Sequence, residues 1–283
     1  MTQPAVKVRG LAKRYGDVPA VRGVDLDIHQ GEVFAILGPN GAGKSTTVEI
    51  LEGHRTRDAG EVTVLGVDPG HPTRAWRSRL GIVSQTANDA AELTVRETVR
   101  HFAAYYPDPR DPDEVLATVG LTEKAGSRIR ALSGGQRRRV DVALGIVGRP
   151  ELLFLDEPTT GFDPEARRRF WDLIGGLARD GTTIVLTTHY LDEVEALADR
   201  VAVIAKGRVV ADGDLATLGG RAAAGASVGW VEDGVRRTVE TDTPTRTVAE
   251  LTGRFCGEIP GLTVTRPTLE DVYLSLVQEG SRA

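Results

Sequence analysis

The chain has 283 residues and a formal net charge of −5, with 40% hydrophobic and 27% charged residues. That balance excludes a disordered chain, predicts one large or two ordinary globular domains, and argues against whole-surface attraction to nucleic acid. No apolar run reaches the roughly 20 residues that cross a bilayer, Met1–Gly10 lacks the order of a secretion signal, and a single cysteine, Cys256, excludes an internal disulfide or a multi-cysteine metal site, which together predict a cytoplasmic protein.

Short apolar stretches alternate with helix-like ones, the pattern of strands joined by helical crossovers, so the predicted fold class is α/β with a mostly parallel sheet. Val6 and Val8, then Val24, Leu26 and Ile28, then Val62 and Val64 follow period two and predict strands with one solvated face. Glu32–Leu37, Leu152–Leu155 and Thr183–Thr187 are continuous apolar or β-branched runs, as in central strands buried on both faces. Strand signals vanish between Thr94 and Val147, where Val95, Val99 and Phe102, then Val115, Leu116 and Val119, recur at helical spacing. An inserted helical subdomain over about 86–148 is predicted, broken by a loop at Pro107, Pro109 and Pro112. The composition turns to Gly and Ala near Leu218–Gly229, ahead of strand-like Val228–Glu232 and Val235–Glu240 and a helix over Thr268–Gln278. These signals divide the chain into a large domain over 1–227 and a small C-terminal α+β accessory domain over 228–283.

The run Gly38, Pro39, Asn40, Gly41, Ala42, Gly43, Lys44, Ser45, Thr46 follows a predicted buried strand and opens a helical pattern over Thr47–Leu51, the context of a phosphate-binding loop. Glycines let the backbone wrap phosphate oxygens, and the helix start offers unpaired N–H groups. Lys44 is then placed for the β- and γ-phosphates and the Ser45 hydroxyl for Mg²⁺. A second feature completes that chemistry: Leu152–Leu155 runs into Asp156 and Glu157, a strand ending in two carboxylates. Asp156 is predicted to hold Mg²⁺, and Glu157 to orient or deprotonate a water that attacks the γ-phosphate. Paired acids before Pro158 also suit a helix cap or a solvated turn, but the upstream loop favours the nucleotide reading.

Leu132, Ser133, Gly134, Gly135 and Gln136 open another helical pattern, and in this pentapeptide the chain resembles the nucleotide-binding subunits of ATP-binding cassette (ABC) transporters. Ser133 and the Gly134 and Gly135 amides at a helix N-terminus favour an anion. The resemblance implies a RecA-like P-loop NTPase core with an antiparallel β part, ATP and Mg²⁺ as cofactors, and a homodimer. ATP would lie between the phosphate loop of one copy and Ser133–Gln136 of the second, head to tail. It further implies that Tyr15 stacks on adenine and that Gln85 senses Mg²⁺ and connects to the membrane partner. Asp163 would lie in a loop crossing the dimer interface, and His189 would contact the γ-phosphate and support the attacking water. Family members commonly carry Leu where Phe162 stands.

Pro267–Tyr273 resembles the ending of the drug-resistance, daunorubicin-exporter-like branch, with Tyr273 where Phe is more frequent. That implies an ATPase driving export of a hydrophobic or drug-like substrate through a separate membrane-spanning permease subunit, from the cytoplasmic face of the cell membrane. Arg137–Arg139 and Arg167–Arg169 fall on predicted helices and spread around them, which reads as solvated faces, so no nucleic-acid partner is expected. One alternative is a soluble cassette ATPase acting on nucleic acid or ribosomes, a type that usually carries coiled-coil or zinc insertions or two cassettes. Another is a nucleotide-binding regulatory module, against which Glu157 and His189 both stand.

Overall fold

The computed structural model describes residues 4–84, 92–218, 225–255 and 257–282. Strands β1 (Val6–Tyr15) and β2 (Val18–Ile28) form an antiparallel hairpin, β3 (Val33–Leu37) leaves for a second sheet, and β4 (Ala59–Val64) returns to pair antiparallel with β1. Val6 pairs with Ile28 and Val64, and Val8 with Leu26 and Val62, so the period-two apolar residues share one face and are buried. Between β3 and β4 lies α1 (Lys44–Leu51), and α2 (Arg74–Arg77) follows, fastened by buried Trp76, whose indole N–H donates to the Val64 carbonyl at 2.8 Å.

The second sheet adds β5 (Leu80–Val83), β6 (Leu152–Asp156), β7 (Thr183–Thr188), β8 (Arg200–Ala205) and β9 (Arg208–Asp214), in the order β5-β6-β7-β3-β8-β9. Pairs from β5 to β8 are parallel. The continuous apolar runs form β3, β6 and β7 in the middle, as their two-sided burial requires. β8 carries a continuous apolar run, Val201–Ala205, that was not singled out in the sequence, and the turn Lys206–Gly207, with φ of 47° and 79°, joins it to the weakly patterned β9. Phe34, Ile36, Phe154 and Val185 of this sheet share one core with Val8, Leu26 and Val62 of the first and with Val48 and Leu51 of α1. Parallel pairing also puts the carboxyl ends of β3, β5, β6 and β7 on one edge, where Gly38, Ser84, Asp156–Glu157 and His189 emerge.

Helices occupy the stretch between β5 and β6: α3 (Val95–Ala103), α4 (Pro112–Thr118) and α5 (Gly134–Ile146), with 3₁₀ turns at Thr122–Lys124 and Ile129–Ala131. Thr94 and Glu97 close a capping box on α3, and Asp111 caps α4 with Pro112 at its first position. Helices α6 (Pro164–Arg179) and α7 (Leu191–Leu197) flank β7.

The chain divides into two compact units between Asp212 and Gly213, within β9, whereas the composition shift places the boundary at 227/228. In the second unit, β10 (Ala226–Glu232) pairs antiparallel with β11 (Val235–Thr241) on one side and with the short β12 (Thr263–Thr265) on the other. Helix α8 (Pro244–Phe255), absent from the expectations, places Val248, Leu251 and Phe255 at helical spacing against Val228, Trp230 and Ile259. Helix α9 (Leu269–Arg282) starts at a reciprocal cap in which the Thr268 N–H donates to Asp271 at 2.8 Å and the Asp271 N–H donates to Thr268 Oγ1 at 3.1 Å.

Candidate active site

The phosphate loop threads between backbones that admit no side chain. A Cβ on Gly38 would stand 2.3 Å from the Ile204 carbonyl oxygen. Gly43, at φ 103°, would bring one to 2.4 Å from the Ala20 oxygen. The loop folds Lys44, 4% exposed, back over itself, with Nζ donating to the Gly38 carbonyl at 2.8 Å and the Pro39 carbonyl at 3.3 Å. Its ammonium also lies 3.5 Å from Glu157 Oε1. A cleft of about 460 Å³ opens over this group, lined by Asn40, Gly41, Ser45, Thr46, Glu157 and the ring of Tyr15. The Arg55 guanidinium sits 5.3 Å and Lys13 Nζ 5.9 Å from the centre of that ring.

On the facing side, Asp156 Oδ1 lies 3.4 Å from Ser45 Oγ and accepts a short hydrogen bond from the fully buried hydroxyl of Thr187. Glu157 then turns the chain at φ 43°, a left-handed conformation that costs a non-glycine residue on the order of 1–2 kcal/mol. Its N–H holds the bend by donating to the Thr187 carbonyl and Oγ1, each at 3.1 Å. The bend brings the carboxylate beside Lys44, with His189 Nδ1 3.3 Å from Glu157 Oε1 without hydrogen-bond alignment. Thr160 Oγ1 is 3.5 Å from the other carboxylate oxygen. Tyr15, Gly38–Thr46, Asp156, Glu157 and His189 therefore converge, whereas Gln85 lies outside the described residues.

Ser133–Gln136 stand elsewhere. The Gln136 N–H donates to Ser133 Oγ at 3.3 Å, and Gln136 Oε1 accepts from the Ser133 N–H at 3.0 Å, a capping box at the start of α5. None of the four lines the Lys44 cleft; Gly134 borders another of about 220 Å³ together with Arg137, Arg138, Glu157 and Phe162. Asp163 caps α6 by accepting from the Ala166 N–H at 2.8 Å, and the Phe162 ring meets buried Phe170 edge-on at 5.8 Å and 87°.

Three contributors were not foreseen. Thr187 carried no polar pattern within an apolar strand. Glu52, at the end of α1, has its carboxyl pushed up to about 8 by burial, with repulsion from Asp156 and Glu49 adding to it. The solvated-face reading of Arg137–Arg139 fails at Arg138, which is 8% exposed and donates to the Pro158 carbonyl at 3.1 Å, the Asp156 carbonyl at 2.8 Å and, by a short bond, the Ser84 carbonyl. The signal was available in the spacing, since Arg138 lies on the same face of α5 as buried Val142 and Gly145.

Among the described residues no group of three or more His, Cys, Asp or Glu is placed to hold a metal. The Ser45 hydroxyl and Asp156 carboxylate make an oxygen pair that fits Mg²⁺, an ion that takes one or two protein ligands and completes its shell with phosphate oxygens and waters.

A parallel sheet that delivers a glycine loop, a buried lysine and paired carboxylates to one edge defines a P-loop nucleoside-triphosphate hydrolase. Residues 21–160 match the family described as ABC transporter. The daunorubicin resistance ATP-binding protein DrrA3 of Streptomyces coeruleorubidus is 42% identical over 219 residues, 75% of this chain and 69% of that protein. The Nod factor export ATP-binding protein I of Ralstonia nicotianae is 43% identical over 217 residues, 74% of this chain and 67% of that protein. A solved ATP-binding cassette, a dimer in a post-hydrolysis state with ADP and phosphate, superposes with a TM-score of 0.67 at 27% identity, covering 74% of this chain and 98% of that one. The chain belongs to the ABC transporter family, as an ATP-binding and ATP-hydrolysing subunit.

Proposed function

We propose that this ATPase powers export of a hydrophobic or drug-like substrate through a separate membrane-spanning permease subunit, and that it hydrolyses ATP as a head-to-tail dimer of two copies. The observation carrying the dimer is the separation of its two anion-binding elements: the Ser133–Gln136 helix start does not line the cleft over Lys44 in its own chain. A second copy supplies that helix start to the γ-phosphate held by the first. Among the described residues no helix is long and apolar enough to cross a membrane, which suits a separate permease and a place on the cytoplasmic face of the membrane. The export direction and substrate class rest on the names of the two relatives.

In this reading Tyr15 stacks on adenine, and the amides of Gly38–Thr46 and Lys44 bind the phosphates. Ser45 and Asp156 would hold Mg²⁺, with Gln85 as its sensor, and the bound ion would offset phosphate charge. Glu157 accepts the proton of the attacking water, and His189 orients that water and the γ-phosphate. Ser133–Gln136 and the Asp163 loop act from across the interface. The Glu157→Gln variant tests this scheme: turnover should fall about 10²–10⁴-fold while ATP still binds. Retained ATP should hold two copies together, so light scattering after size exclusion should give a dimer with ATP, and a monomer with ADP or with an added Ser133→Arg. Monomers throughout, with ATP bound, would refute the sandwich.

A further inference from the structure

Among the described residues Arg138 makes three hydrogen bonds to three backbone carbonyls and none to a side chain. Two acceptors, Asp156 at 2.8 Å and Pro158 at 3.1 Å, are the residues immediately before and after Glu157, and the third, Ser84, directly follows β5. The guanidinium therefore brackets Glu157 at the point where the backbone turns through φ 43°. A left-handed residue without glycine's freedom persists only where neighbouring groups determine it; Thr187 and the Thr160 N–H hold the amide and carbonyl of Glu157 itself, and Arg138 holds the carbonyls of the residues on either side. Its planar fork suits the task, because it presents donors in fixed directions that the single ammonium of a lysine cannot reproduce.

The guanidinium is buried, and desolvation lowers its pKa while Asp141, Asp156 and Glu193 support the charge. Asp141 lies 3.8 Å from Nη1 on the same helix. A buried cation whose hydrogen bonds go to carbonyls, with Asp141 no nearer than 3.8 Å, is a costly way to add stability alone, since desolvation offsets much of its gain. The same side chain belongs to α5, whose first turn is Gly134–Gln136.

We propose that Arg138 is a positioning residue for hydrolysis: it sets the backbone on both sides of Glu157, aims that carboxylate into the Lys44 cleft, and ties it rigidly to α5 and to the end of β5. The inference rests on Glu157 acting as the base. Arg138 touches neither Lys44 nor the glycine loop, so it governs turnover and leaves ATP capture alone.

The test uses the full chain, with ATP affinity by calorimetry and turnover by phosphate release. In Arg138→Gln, kcat should fall about 10–100-fold, the scale of an ångström's misplacement of a catalytic group, with the ATP dissociation constant changed less than threefold. Arg138→Lys, which keeps charge and a donor and guards against a misfolded Gln variant, should recover part of the loss. Because Arg138 acts through Glu157, adding Arg138→Gln to Glu157→Gln should lower single-turnover hydrolysis less than twofold further. Parental kcat in a folded Arg138→Gln, or full multiplication of the two losses in the double variant, would overturn the inference. Parental turnover in Glu157→Gln would instead remove the base assignment beneath it.

Discussion

Thr187→Val removes one hydroxyl from a fully buried site and keeps the β-branched shape that packs inside β7. The hydroxyl donates to Asp156 Oδ1, the oxygen 3.4 Å from Ser45 Oγ, and also accepts from the Glu157 N–H at 3.1 Å. The bond from that N–H to the Thr187 backbone carbonyl survives, so the bend at Glu157 is retained and the loss falls on Asp156. A hydrogen bond to a carboxylate contributes about 1.5–3 kcal/mol, equivalent to roughly 3–12 °C in Tm for a unit of this size. Groups that orient a metal-binding carboxylate typically account for about 10–100-fold in metal affinity. Titrating free Mg²⁺ at saturating ATP should therefore move the half-activation point of the Val variant upward by about 10–100-fold, while Thr187→Ser stays close to parent. A half-activation point within twofold of parent in Thr187→Val, with Tm unchanged, would refute the role given to this hydroxyl.

Further outcomes follow from the geometry. Glu52 is held neutral up to about 8 in the fold against an ordinary value of 4.5, with Asp156, Glu49 and His54 (Nδ1 at 3.2 Å) around it. The folded state is then the better proton binder, so stability present below about pH 4.5 is lost as pH rises through about 8. Glu52→Gln should therefore gain on parent by a few kcal/mol between those limits, and parallel Tm-against-pH curves would contradict it. Gly38→Ala places a Cβ 2.3 Å from the Ile204 oxygen and displaces the carbonyl that Lys44 bonds, so calorimetry should show more than about tenfold weaker ATP binding and melting a loss of about 1–3 kcal/mol. Phe162→Leu gives up the edge-on contact with Phe170, with a loss of about 0.5–1.5 kcal/mol by thermal melt at unchanged ATP affinity. Unaltered melting would show that the ring pair carries no stability.

Where a proposed site rests on one short stretch of backbone, its local geometry was legible from the residues. Gly38–Thr46 needs residues without Cβ atoms ahead of a helix start, Asp156–Glu157 needs an apolar strand to carry it, and Ser133–Gln136 needs a capped helix N-terminus; each requirement is written in consecutive positions. Periodicity likewise marked β1, β2, β4 and the central β3, β6 and β7, because alternation reports one buried face and continuity reports two.

What consecutive positions do not carry is which side chains face one another across distant elements. β8 and α8 went unmarked although their signals are local, the apolar run Val201–Ala205 and the helical spacing of Val248, Leu251 and Phe255, whereas β9 has no such pattern and is placed by its neighbour β8. Arg137, Arg138 and Arg139 are chemically alike; spacing puts Arg138 on the buried face of α5 with Val142, but which carbonyls it meets there, those beside Glu157, follows from the packing of that helix in the fold. Thr187 reaches Asp156 because β7 pairs with β6 in the register that sets the two side by side, and Glu52 meets the field of Asp156 because α1 lies against β6. The chemistry available at each strand end is written in consecutive residues. Which ends converge, and which buried groups hold them, follows from strand register and helix packing between residues far apart along the chain.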